Sequence, residues 1–338
     1  MLYSLTRSLL FRLDPEMAHG LSLQAMEQAA QCGLLKPGHP VPTRPRSVMG
    51  LTFVNPLGIA AGLDKNATCL NGLGALGVGF IEVGTVTPRP QPGNPQPRMF
   101  RLVQANALIN RLGFNNEGVA ALVERVRNRT YKGILGINLG KNFDTPLELA
   151  AEDYLASLRQ VAPYADYVTI NISSPNTQNL RQLQSHEALP PLLQRLHQER
   201  LRLCDQWGKA LPIAIKIAPD LENDQLEVMA QTLIDEKMDA VIATNTTLRR
   251  DIPQHLPHAQ ETGGLSGAPL HPLALEVVGR LARLLDGALP IIGVGGITHP
   301  AAAQAMLAAG ASLIQLYTGL VYQGPQLITD ILATDRPS

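Results

Sequence analysis

Eight short apolar runs, each rich in small residues, recur along the chain. They are Leu57–Gly62, Phe80–Val86, Ile134–Gly140, Tyr167–Ser173, Ile213–Ala218, Ala240–Thr246, Ile291–Gly296 and Leu313–Thr318. Helical patterns separate most of them, as at Asp153–Val161, Leu189–Leu203, Asp224–Glu236, Leu273–Leu285 and Ala301–Ala309. Strands buried on both faces read as continuous apolar runs, and strands alternating with helices form parallel sheets. Eight is the count that closes a (β/α)8 TIM barrel, which is the expected fold. An open doubly wound sheet is the competing architecture, but no strand–GxGxxG–helix opening is present.

Charge and composition narrow the function. The 28 acidic and 28 basic residues balance, so no long-range field favours nucleic acid or an anionic surface. Aromatic residues make up only 4% of the chain, too few for a single-strand stacking platform. Cys32, Cys69 and Cys204 are odd in number and scattered, as in a reducing compartment. His255 and His258 form an HxxH in a Pro-rich loop with no further ligand nearby, so no metal site is expected. Gly295, Gly296 and His299-Pro300 interrupt the longest apolar stretch, and no bilayer-spanning helix is expected. The start lacks the features of a secretory signal peptide.

Residues 1–40 stand apart from the barrel expected over 41–338. Leu2, Leu5, Leu9 and Leu13 recur at helical spacing. Asp14-Pro15-Glu16 then reads as an N-cap, a proline in the first turn and an acid beside the helix dipole. A second helix follows with Met17, Leu21, Ala25 and Gln28 on one line, ending near Gly33. The segment Lys36 to Pro45 is Pro-rich and reads as a linker. Two such helices are too small to fold alone. The commoner outcome is docking on the main domain as a lid; the sharper reading is an apolar cleft that meets a membrane or a lipophilic ligand. Two connections are long, Thr87 to about Glu117 and Thr247 to Pro269, and long βα loops usually cover an active site.

Strand parity assigns faces. Ala214, Lys216 and Ala218 share one face of their strand and the isoleucines share the other. With the isoleucines on the helix side, Lys216 points into the barrel between small residues. A buried ammonium requires an anion: Glu82 in an internal ion pair, or a bound ligand. The same parity turns Gly136, Asn138, Gly140, Thr169, Asn171 and Ser173 inward, with Ser174 at the rim. Asn110, Asn138, Asn171, Asn176 and Asn245 form a set of amides near strand ends, suited to a flat heterocycle with alternating carbonyl and N–H groups. Glycine turns after the last two strands, at Gly293-Val-Gly-Gly296 and Thr318-Gly319, suit a phosphate.

At this point the motifs match a known family. Ala60-Ala-Gly-Leu-Asp-Lys-Asn66, Glu82-Val-Gly-Thr-Val-Thr-Pro-Arg-Pro-Gln-Pro-Gly93, Asn110-Arg-Leu-Gly-Phe-Asn-Asn116, Asn171-Ile-Ser-Ser-Pro-Asn-Thr177, Ala243-Thr-Asn-Thr-Thr247, Gly263-Gly-Leu-Ser-Gly267 and Gly293-Val-Gly-Gly-Ile297 together resemble class 2, quinone-dependent, membrane-associated dihydroorotate dehydrogenase. The resemblance spans nearly the whole chain. It implies oxidation of (S)-dihydroorotate to orotate in pyrimidine biosynthesis on an FMN-binding barrel with an N-terminal helical quinone-access domain. It implies FMN contacts from Ala61, Gly62, Leu63, Asp64, Lys65, Thr85, Asn138, Asn171, Lys216, Thr244, Gly267, Gly296, Tyr317 and Thr318. Substrate contacts are implied for Lys65, Asn110, Arg111, Leu112, Gly113, Phe114, Asn171, Asn176, Asn245 and Thr246. Ser174 matches the class 2 catalytic base, where class 1 relatives carry cysteine. Thr177 and a water are relay candidates. His19 and Arg101 match polar positions of the tunnel through which ubiquinone or menaquinone would enter. Ala268 departs from the basic residue the family often places there.

The expected setting is peripheral, on the cytoplasmic side of a bacterial inner membrane, with no nucleic acid partner; a monomer is the simplest state. Two other classes stay open on the residues alone. One is a flavin-free lyase or isomerase on a phosphate-binding barrel, and the other is a membrane-docked binding module.

Overall fold

The computed structural model describes residues 2–35 and 44–334. Eight parallel strands close into a barrel in chain order: β1 (Leu57–Ile59), β2 (Phe80–Val86), β3 (Ile134–Leu139), β4 (Tyr167–Asn171), β5 (Ile213–Ile217), β6 (Ala240–Ala243), β7 (Ile291–Val294) and β8 (Ala311–Leu316). Each apolar run in the sequence holds one strand. Several strands stop short of the run's end: β1 stops at Ile59, β6 at Ala243 and β7 at Val294. The remaining residues leave the ladder in turns, with Gly62, Gly295 and Gly296 at positive φ.

Helices Ala150–Val161, Leu189–Trp207, Asn223–Asp235, His271–Leu285 and Pro300–Ala308 pack outside the strands. The outward isoleucines and leucines join them in one large core. A second core fills the barrel, with Phe80, Tyr167, Ala214, Ile242, Ile292 and Leu313. A hairpin of Arg46–Val48 and Leu51–Phe53 plugs its lower end. Phe53 is fully buried and meets the Phe80 ring edge-on at 5.2 Å. Gly58 makes this possible, because a Cβ there would fall 2.4 Å from the Phe80 ring.

The two long connections are not plain loops. Met99–Leu102, Ala107–Asn110 and Gly264–Gly267 pair antiparallel in a three-stranded sheet above the barrel's C-terminal rim. Phe100, Leu102, Ile109 and Leu265 pack there on Ile252 and Leu256. These strands are four residues each, broken by Arg101 and Ser266, so their periodicity carries little signal.

Helices α1 (Leu2–Leu10) and α2 (Pro15–Gln31) dock on the same rim. Asp14 caps α2 as its sequence implies, its Oδ1 accepting from the Glu16 and Met17 amides. The docking contacts are apolar and polar: Leu23 and Met26 pack on the main core, and Phe11 meets the Tyr322 ring edge-on at 5.4 Å. Tyr3 donates to the Val321 carbonyl at 2.7 Å, and Arg7 to that of Tyr322 at 2.5 Å. Glu16 pairs with Arg98 at 2.6 Å, and Glu27 accepts from Asn71 and the Gly72 amide. The apolar line that predicts the helices faces the other way. Leu5, Leu9, Met17 and Leu21 are 68, 65, 58 and 48% exposed. Docking on the barrel alone therefore leaves that stripe uncovered. Of Leu2 only the backbone is described, and the stretch expected as a linker lies mostly outside the described residues. No described helix is long and apolar enough to cross a membrane.

Candidate active site

A cavity open to solvent lies at the C-terminal end of the strands. Its floor is a polar layer stacked on the Phe80–Tyr167 core. Glu82 is fully buried and accepts three hydrogen bonds of 2.8 Å, from Asn138 Nδ2, Tyr167 Oη and Gln315 Nε2. Asn138 turns its Oδ1 upward to Thr85 Oγ1 at 2.6 Å and Asn171 Nδ2 at 3.2 Å. Asn171 Oδ1 in turn accepts from Ser173 and from Asn245 Nδ2. The amides foreseen as a set fall into two bonded groups, Asn138–Asn171–Asn245 on the floor and Asn110–Asn176 on the wall.

Lys216 sits beside Asn171 in the β4–β5 register and lines the cavity. It is 5% exposed and makes no ion pair or hydrogen bond with any described residue. Burial draws its pKa down, while the charge of Glu82, beyond contact distance, draws it up. Of the two anions the sequence offered, the direct Glu82 pair does not form; Glu82 is occupied by neutral donors.

The upper wall carries Ser174, 6% exposed, whose Oγ accepts from the Asn176 amide at 3.2 Å. Asn176 Nδ2 donates to Asn110 Oδ1, and Asn94 Nδ2 ties the Arg111 and Asn176 carbonyls. Thr177 Oγ1 is buried without a partner among the described residues. Arg181 braces this segment from behind, donating to the Ser173 and Thr246 carbonyls and pairing with Asp220 at 2.7 Å. Lys65 enters from the β1 loop. Burial lowers its pKa to about 8, with Glu16 of α2 opposing. On α2, burial lowers His19 to about 4, and the charge of Lys65 adds to that. Arg101 donates to the Leu13 carbonyl and lies 4.7 Å from the Phe11 ring centroid.

Most residues singled out in the sequence line this one cavity: Ala61, Gly62, Lys65, Thr85, Asn110, Leu112, Gly113, Phe114, Asn171, Ser174, Asn176, Lys216, Thr244, Asn245, Thr246, Gly267, Gly296, Tyr317 and Thr318. Others lie outside it. Leu63 packs in the core, and Asp64 caps the following turn through the Thr68 and Cys69 amides. Asn138 sits below the lining, and the Arg111 side chain pairs with Glu261. His19 and Arg101 sit on the docked helices' side. Sequence reasoning missed Ser266, Leu270, Val294 and Gln315. Gln315 was findable, as the one polar residue in the inward alternation Leu313, Gln315, Tyr317.

The family model described as dihydroorotate dehydrogenase matches residues 45–334. The chain belongs to the dihydroorotate dehydrogenase family. Among its curated relatives, the dihydroorotate dehydrogenase (quinone) of Nitrosospira multiformis is 59% identical over 98% of this chain and 95% of its own length. That of Burkholderia multivorans is 58% identical over 97 and 96%. The crystal structure of Eimeria tenella DHODH in complex with ferulenol superposes with a TM-score of 0.88 at 35% identity, covering 95% of this chain and 90% of that one.

Dihydroorotate dehydrogenases are flavoenzymes, and the residues of this cavity fit a flavin. Lys216 offers a buried cation without a protein anion. Gln315 Oε1 is a buried acceptor without a donor. Gly267 and Gly296 let two backbone turns meet at one end of the cavity, since a Cβ on Gly296 would come 2.6 Å from the Gly267 carbonyl oxygen.

The His19 environment has a pH signature. A folded-state pKa near 4, against about 6.5 for the unfolded chain, means that the unfolded state binds the extra proton between those values. Stability from this site is therefore full above pH ~6.5 and is lost as pH falls toward 4. The expected NMR titration leaves the His19 ring neutral at pH 6, and His19→Gln flattens the pH slope of the unfolding midpoint in that window. A midpoint near the ordinary histidine value would contradict the buried setting.

Proposed function

We propose that the flavin of this cavity is FMN, and that the residues around it divide into a cofactor floor, a substrate wall and a quinone entrance. The reaction itself is that of the family: dihydroorotate is oxidised to orotate in pyrimidine biosynthesis, with a quinone as electron acceptor. The observation that carries the cofactor assignment is the unpartnered Lys216 at the cavity floor.

Bound there, FMN would supply two-electron redox chemistry. Thr85, Asn171, Lys216, Thr244 and Tyr317, with Ala61, Gly62 and Lys65, would hold its ring system, and Asn138 would brace them from below. Gly267, Gly296 and Thr318 would hold the phosphate end. Lys216 presents positive charge where negative charge accumulates on reduction, the preorganised stabilisation that costs no rearrangement during the reaction.

Asn110 with Asn176, and Asn171 with Asn245, offer donors and acceptors as two bonded pairs to the edges of the pyrimidine. With Leu112, Gly113, Phe114 and Thr246 they hold its plane and so fix the angle at which hydride leaves C6. Lys65, as ammonium, pairs with the substrate carboxylate. Ser174 takes the C5 proton. A serine hydroxyl is a weak base, so it needs help. The Asn176 amide hydrogen bond stabilises charge on Oγ, and the unpartnered Thr177 hydroxyl is suited to pass the proton outward.

His19 and Arg101 line the approach for quinone, between helices whose exposed leucines suit the surface of a membrane. On this reading residues 1–40 serve access and 41–338 serve chemistry, on the cytoplasmic face of a bacterial membrane, in a monomer.

Ser174→Ala is expected to keep its yellow colour and to slow flavin reduction by dihydroorotate by a factor of about 10^2–10^4, measured anaerobically in stopped flow. Reduction at the wild-type rate would remove Ser174 from the base role. Leu5→Asp/Leu9→Asp is expected to abolish flotation with phospholipid vesicles while leaving flavin reduction intact; unchanged flotation would detach the leucine stripe from membrane binding.

A further inference from the structure

We propose that Glu82 is a positioning residue of the flavin site: it keeps Lys216 charged from below and fixes the orientation of the amides above it. The inference rests on the FMN reading and deepens it.

Two observations carry it. The first is the bond pattern. All three groups on the Glu82 carboxylate reach it through donors, so the acid acts as acceptor in each. An amide side chain can turn either end toward a partner. Glu82 removes that freedom from Asn138, whose Nδ2 must face down and whose Oδ1 must face up. Oδ1 then compels Asn171 to present its own Nδ2 to it. Asn171 Oδ1 is thereby left to accept from Ser173 and Asn245. One carboxylate sets the polarity of successive amides up to the cavity wall.

The second is charge placement. Glu82 is fully buried, and Lys216 has no anion in contact. An isolated ammonium in such a place would shed its proton. The attraction of Glu82 opposes this without capping the ammonium, which stays free to face the cavity. A salt bridge would have neutralised the same lysine as a ligand for a cofactor. The carboxylate can stand off because Tyr167, Gln315 and Asn138 solvate it in place of water.

The test is the two-electron midpoint potential of the bound flavin, with the FMN dissociation constant of the apoprotein beside it. Wild-type protein that carries no flavin would refute the FMN reading before any variant is made. Given yellow wild-type protein, Glu82→Gln is expected to lower the potential by at least about 30 mV, a tenfold weaker preference for the reduced state. It should also raise the FMN dissociation constant at least about tenfold, or 1.4 kcal/mol. Adding Lys216→Met to Glu82→Gln is expected to move the potential no further, since the cation is already lost. A purely structural Glu82 would lower the melting temperature and leave the potential alone. An unchanged or raised potential in Glu82→Gln, or an additive shift in the double variant, overturns the proposal. Should Glu82→Gln fail to retain FMN, Glu82→Asp decides. It keeps the charge, and so the wild-type potential, while loosening Asn138 and weakening FMN binding; a potential as low as that of Lys216→Met would refute it.

Discussion

Lys216 is a cation held in a protein interior where no anion among the described residues touches it. Removing an ammonium from water costs several kcal/mol even after relaxation, and a fold tolerates it only where something returns that energy. Here the return is split. Glu82 supplies attraction from within the barrel, and the cavity leaves the other side of the ammonium open for an anionic or electron-rich ligand. Much of the neighbourhood follows from this division. The carboxylate must be solvated by protein, which accounts for Tyr167, Gln315 and Asn138 at one level of the barrel. Aromatic packing of Phe53, Phe80 and Tyr167 lies beneath that level.

The N-terminal helices are tied to this centre by charge and hydrogen bonds. Glu16 of α2 pairs with Arg98, and Arg98 also holds the carbonyls of Pro92 and Asn94. Asn94 then reaches the Asn176 carbonyl, two residues from Ser174. Glu16 also acts on Lys65. Helix docking and the substrate wall therefore share one set of polar contacts. The exposed leucines take no part, which leaves them available to a different phase.

How much of this was legible in the sequence depends on the range of the interaction. The barrel strands follow from local periodicity and small residues, and the inward faces of Lys216, Asn138 and Asn171 follow from parity alone. The Asp14 cap was equally local. What escaped depended on distant partners. The small sheet over the rim joins segments more than 150 residues apart, as in the pairing of Leu265 with Ile109. The bonds that occupy Glu82 come from three different strands, so sequence could suggest its pairing with Lys216 but not that the two stand apart. Asp64 lies within a motif that resembles a cofactor contact, yet its carboxylate is spent on local amides. A family motif marks a segment, whereas only the fold tells which side chains of that segment reach the cavity.

The most direct test is an anaerobic spectrum of the purified protein, first with dihydroorotate and then with a soluble quinone. The expected result is a visible flavin band that bleaches on substrate and returns on quinone, with FMN released on denaturation. A colourless protein, or a band indifferent to dihydroorotate, would contradict it.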